Sequence, residues 1–137
     1  MKMDNKLNIL PLQKANEAFS NALAQAGELE EKHHEIYRAA IIQNFEFSFE
    51  LCWKFMRRWL ENEDRSEVER ILTKKDLFRL AEKRGLIQDS ARWFEYLNAR
   101  NRTSHIYDEI VAEEVFKVAK GFFPDFRDFV AQLEKKI

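Results

Sequence analysis

Between positions 100 and 108 the chain reads Arg100-Asn101-Arg102-Thr103-Ser104-His105-Ile106-Tyr107-Asp108, its densest run of reactive side-chain types. Arginine offers phosphate a rigid fork of donors and does not lose its charge. Histidine titrates near neutrality and can give or take a proton. Together they meet two needs of RNA cleavage without a metal: charge stabilisation at the phosphate, and proton transfer at the 2′-hydroxyl or the leaving 5′-oxygen. Arg100 and His105 are five residues apart, about 140° around a continuous helix. They converge only if the helix ends or distorts at 102–104, or if a second chain supplies half of the site. Thr103 and Ser104, poor interior helix formers and good caps, favour such a break. Standing alone, Arg-x4-His is a weak signal, met equally well by a solvated helix end carrying a histidine.

The elements that must hold this segment are helical. In 137 residues there are only 3 Gly and 2 Pro, and Thr73 and Thr103 are the only threonines. Sandwiches, barrels, Rossmann units and P-loops need more turn formers than this. Hydrophobic residues make up 45% and charged residues 34%, enough for one buried core under a solvated surface. A net charge of −1 gives no bulk basic field, although a local patch is compatible with it. One cysteine, Cys52, excludes an internal disulfide and any multi-thiolate metal site. Asp4, Asn5 and Asn8 interrupt the first twelve residues, so no signal-peptide core is read, and no apolar run approaches the roughly 20 residues of a membrane span. The expectation is a single cytoplasmic domain, 1–137, binding neither metal nor cofactor.

Five helical stretches are predicted. The first runs from Pro11 to Ala26 with a stripe of Leu12, Ala15, Phe19, Ala22 and Leu23. Gly27 and the acids Glu28, Glu30 and Glu31 make a turn or a charged start of the next helix. The second, from Glu35 to Leu60, places Ile41, Phe45, Phe49, Cys52, Met56 and Trp59 on one face. A second seam, Phe47, Leu51 and Phe55, makes it either central in its bundle or a contributor to a partner chain. The third opens at Thr73, with Asp76 in capping-box position and Gly85 as the residue after its end. The fourth begins near Asp89 or Ser90. The last begins near Asp108, with Gly121 and Pro124 expected to kink or break it before Phe126. Short connections favour an all-α, up-and-down antiparallel bundle.

Other chemistry-bearing residues have bland readings. Glu46 and Glu50 are like charges at i, i+4, neutralised either by Lys54 and Arg57 at the surface or by orienting Arg100 or His105. Adjacent His33 and His34 point apart and read as a solvated helix start rather than metal ligands. Cys52 reads as a buried hydrophobe. Trp53 and Trp59 read as core or interface rather than base-stacking platforms, being distant in sequence from the basic motif. Lys74, Lys75, Arg79, Lys83 and Arg84 form the most basic stretch, a solvated face or a surface for RNA or an acidic partner.

Arg100 to His105 resembles the Arg-x4–6-His signature of HEPN-domain proteins. The fit is closer to the HepT-like toxins once described as nucleotidyltransferase substrate-binding proteins, through Asn101 after the arginine and Tyr107 two residues after the histidine. The Phe45-Glu46-Phe47-Ser48-Phe49-Glu50-Leu51-Cys52-Trp53-Lys54 block and Gly85-Leu86-Ile87-Gln88-Asp89 with Trp93 are similar to that family's other motifs, in order and spacing. The resemblance covers Glu35 to the C-terminus. It implies a homodimeric HEPN-like bundle whose paired motifs line an interface cleft, with Arg100 and His105 cleaving RNA; Asn101, Arg102, Glu46 and Glu50 are the candidate supporting residues. Arg102 departs from the family, which has an apolar residue there, and offers a further phosphate contact. The implied partner is a minimal nucleotidyltransferase antitoxin that transfers AMP from ATP to Tyr107. A non-catalytic substrate-binding subunit of that enzyme, and a dimerisation bundle with no site, are the competing readings.

Overall fold

The computed structural model describes residues 7–26 and 31–137. The expected turn at Gly27 to Glu30 lies outside the described residues. Six α-helices follow one another among the described residues: α1 (Leu10–Ala24), α2 (His34–Glu63), α3 (Arg65–Val68), α4 (Lys74–Lys83), α5 (Ser90–Arg102) and α6 (Glu109–Lys136), with a 3-10 turn at Thr103–His105 between the last two. No strand occurs among the described residues.

Local chemistry sets most boundaries. Thr73 Oγ1 accepts from Asp76 N at 3.1 Å at the head of α4, and Asp89 and Asp108 cap α5 and α6 in the same way. Gly85, at φ +78°, ends α4 in the left-handed conformation that only glycine adopts without strain. One-turn α3, capped by Asp64, is additional to the five predicted stretches.

α2 is the central helix, in contact with α1, α3, α4, α5 and α6. Gln13 of α1 bonds Glu134 of α6, and Arg92 of α5 bonds Asp125 of α6, so α1 and α5 both run antiparallel to α6. α2 and α6 run parallel, His34 meeting Glu113 near one end and Lys136 lying over Trp59 at the other. Phe122 is the hub of the core: its ring packs against Phe19, Phe45, Phe49, Trp93, Tyr96 and Phe126. Each such ring taken out of water stabilises the fold by about 1.5–3 kcal/mol.

Two expectations are corrected. α6 is not broken at Pro124, which lies inside one helix. An interior proline costs about 3 kcal/mol, but Phe126, Phe129, Val130 and Leu133 beyond it are all buried, and their burial outweighs that cost. The second seam of α2 is also not one surface. Phe55 is buried, Leu51 packs against the core, and Phe47 alone remains 61% exposed. Cys52 is fully buried, and burial pushes its thiol pKa well up.

Candidate functional site

α5 ends at Arg102 and tightens into the Thr103–His105 turn, the distortion that the Arg-x4-His spacing requires. Thr103 fixes it: its hydroxyl donates to the Arg100 carbonyl at 2.7 Å and accepts from Arg100 Nη1 at 3.0 Å. The Arg100 side chain is thereby turned toward α2. There Nη1 lies 3.5 Å from Glu46 Oε2 and Nε lies 3.2 Å from Glu50 Oε1. The Nε contact is an ion pair without hydrogen-bond alignment, so the guanidinium is held by charge more than by directed bonds. The second Glu50 oxygen accepts from Trp53 Nε1 at 3.0 Å.

Arg100, Glu46 and Glu50, with Phe47 and Ile106, line an open groove of about 610 Å³ between α2 and the end of α5. His105 and Tyr107, on either side of Ile106, are exposed. The Tyr107 hydroxyl lies 3.3 Å from His105 Nδ1, within hydrogen-bond reach, and the rings meet edge to face. Two halves thus form within one chain: Arg100 with Glu46 and Glu50, and His105 with Tyr107. The chain does not bond Arg100 to His105. Arg102 turns away and pairs with Glu114 of α6 at 2.8 Å. Asn101 is exposed, its carbonyl accepting from Ser104 Oγ. Lys54 and Arg57 do not neutralise the Glu46–Glu50 pair; Arg57 bonds Glu61 instead.

Two polar networks behind the site join elements far apart in the sequence. Arg38 is buried on the apolar stripe of α2, three residues before Ile41, and holds Glu109 and Glu113 at the start of α6. His34 Nε2 meets Glu113 Oε1 at 2.5 Å, so it is a member of this network and not merely a solvated helix start. The hydrogen bond and charge of Glu109 hold the Arg38 guanidinium pKa above its ordinary value despite burial. The signal was available: an arginine in an apolar register needs a carboxylate partner. On the other side, Asp125 receives both Arg92 and the Tyr96 hydroxyl, fastening α5 to α6. Burial first, then the Asp125 bond, raises the Tyr96 pKa. No group of three or more His, Cys, Asp or Glu among the described residues is placed to hold a metal ion, and none of their helices is long and apolar enough to cross a membrane.

This helical bundle, with an arginine–histidine–tyrosine segment at the α5–α6 corner, belongs to the family described as nucleotidyltransferase substrate-binding protein like, whose model matches residues 7–135. Among its relatives is a Haemophilus influenzae protein named "Probable ribonuclease HepT", 36% identical over 100 residues that cover 72% of this chain and 68% of that one. A solved Haemophilus influenzae structure, described as revealing the fold of a substrate-binding domain of a nucleotidyltransferase, superposes with a TM-score of 0.82 at 28% identity. The match covers 93% of this chain and 99% of that one.

Proposed function

We propose that the protein is a metal-independent endoribonuclease toxin, acting as a homodimer and silenced by a nucleotidyltransferase that places AMP on Tyr107. The observation that carries the reading is His105 Nδ1 lying 3.3 Å from the Tyr107 hydroxyl beside the groove that holds Arg100. In a homodimer with two such grooves face to face, Arg100 binds the scissile phosphate. One His105 takes the 2′-hydroxyl proton and the other gives a proton to the 5′-oxygen; the 2′-oxygen–phosphorus bond forms as the 5′-oxygen–phosphorus bond breaks. Ile36, Phe47, Ile106 and Ile110 are exposed apolar residues on α2 and at the α5–α6 corner, the surface such a dimer would bury. In silencing, the Tyr107 oxygen attacks the α-phosphorus of ATP and pyrophosphate leaves. The tethered AMP then competes with RNA for the arginine at high effective concentration.

The test is cleavage of RNA by the wild type, His105→Ala and Arg100→Ala, with and without EDTA. The wild type is expected to cut in both conditions and each variant to lose about 10²-fold or more. EDTA-sensitive cutting, or undiminished cutting by His105→Ala, overturns the proposal. The family's description favours a second reading, a non-catalytic subunit positioning substrate for the nucleotidyltransferase. Under it the wild type cuts nothing and still binds that enzyme.

A further inference from the structure

Beside the groove, on the far side of Glu50, the half-buried Trp53 walls a hollow of about 220 Å³ with Arg57, Leu72 and Lys74. It is smaller than the roughly 300–1,000 Å³ pockets that enclose drug-sized ligands, and suits a flat ring lying against one wall. Lys74 Nζ stands 4.7 Å from the centre of the Trp53 ring and Lys54 Nζ 5.7 Å from it. Further along α4, Lys75 and Arg79 stand over Phe94 of α5 at 5.6 and 5.0 Å. Arg57 and Arg79 are committed to Glu61 and Asp76. Lys54, Lys74 and Lys75 form no ion pair with the described residues. Lys74 and Lys75 also open α4, where the helix dipole disfavours cations. Their contacts with the Trp53 and Phe94 rings are the only local return on that cost, and no carboxylate among the described residues neutralises them.

We propose that Trp53 and the lysines around it form a subsite for single-stranded RNA flanking the bond cut at Arg100: one base stacks on the indole, and its phosphates meet Lys74, Lys75 and Lys54. Alternating rings and unpaired cations are the pattern that holds a single strand without reading its sequence. The subsite is joined to the candidate catalytic groove by one carboxylate, since Glu50 accepts from Trp53 Nε1 at 3.0 Å and faces Arg100 Nε at 3.2 Å. Occupation of the shelf therefore bears on the group that holds Arg100. The proposal rests on the reading of the chain as RNA-cleaving.

The test is fluorescence anisotropy of a labelled twelve-nucleotide single-stranded RNA of mixed sequence, with the full chain carrying His105→Ala. Adding Trp53→Ala is expected to weaken binding about tenfold, the scale of one lost base stack, while Trp53→Phe keeps most of the affinity. Lys74→Ala with Lys75→Ala, at the surface and safe for folding, should weaken binding and reduce the slope of log affinity against log salt by about 1.4. Affinities within twofold of the parent with an unchanged slope overturn the proposal. So does retention of RNA binding with loss of the nucleotidyltransferase complex, which assigns the surface to a protein. Because binding is read without cleavage, a chain that binds through Trp53 and never cuts refutes only the ribonuclease reading. One that cuts and ignores Trp53 refutes only the subsite.

Discussion

Arg38 grips the Glu109 carboxylate with both terminal nitrogens, Nη1 at 2.6 Å and Nη2 at 3.0 Å. Glu109 stands two residues after Tyr107, so α2 anchors the corner that carries His105 and Tyr107. The Arg38 bond holds the Glu109 carboxyl below its usual range, and bonds from His34 and then Arg38 do the same for Glu113. Carboxylates depressed in the folded state add stability above their unfolded pKa and lose it as pH falls. The wild-type unfolding midpoint is therefore expected to drop more steeply than that of Arg38→Met as pH falls below about 4.5. Parallel acid limbs in the two proteins would show that the network contributes no pH-dependent stability.

Gly121 and Gly85 are expected to respond in opposite directions to alanine. A Cβ on Gly121 meets nothing within 4 Å inside α6, and alanine there should stabilise by about 0.5–1 kcal/mol. Gly85, at φ +78°, should lose about 1–2 kcal/mol. Thermal melts separate the two signs, and a destabilised Gly121→Ala would contradict the open space around that position.

Tyr107 is 84% exposed, so Tyr107→Phe should shift stability by no more than about 0.5 kcal/mol. Expressed with the nucleotidyltransferase, the wild type is expected to gain the mass of AMP and lose ribonuclease activity, while the Phe variant gains none and stays active. Equal modification of both would place the acceptor elsewhere.

Self-association should depend on Phe47 and not on Phe55. Phe47→Glu changes a residue 61% exposed and is expected to leave a folded monomer at micromolar concentration where the wild type sediments as a dimer. Phe55→Glu, at 2% exposure, should unfold the chain instead. A wild-type monomer, or a Phe47→Glu dimer, would remove the shared cleft from the proposed mechanism.

Residues that act on their immediate neighbours were legible in the sequence. Thr73, Asp89, Asp108 and Gly85 cap or end helices through groups two to four positions away, and the Thr103–Ser104 break follows from the same local preference. What depended on distance was not legible. Arg38 finds its carboxylates 71 and 75 positions later, and only its place in an apolar register hinted at them. Trp53 bonds Glu50 only three positions back on α2, but that this is the same Glu50 that faces Arg100 follows from the fold alone. At Pro124 local strain predicts a stop, and the rings that the second half of α6 buries carry the helix through it. Spacing gave the segment from Arg100 to Tyr107 its interest, but only the fold divides it into a groove-facing arginine and a surface-facing histidine–tyrosine pair.

The burial of Cys52 narrows how this protein can be controlled. Its one sulfur nucleophile is sealed in the core with its thiolate disfavoured, so oxidants cannot tie two folded copies together by a thiol bridge, and glutathione finds nothing to cap. Thiol chemistry is closed to the folded chain, whereas the Tyr107 phenol at the α5–α6 corner stands open to solvent.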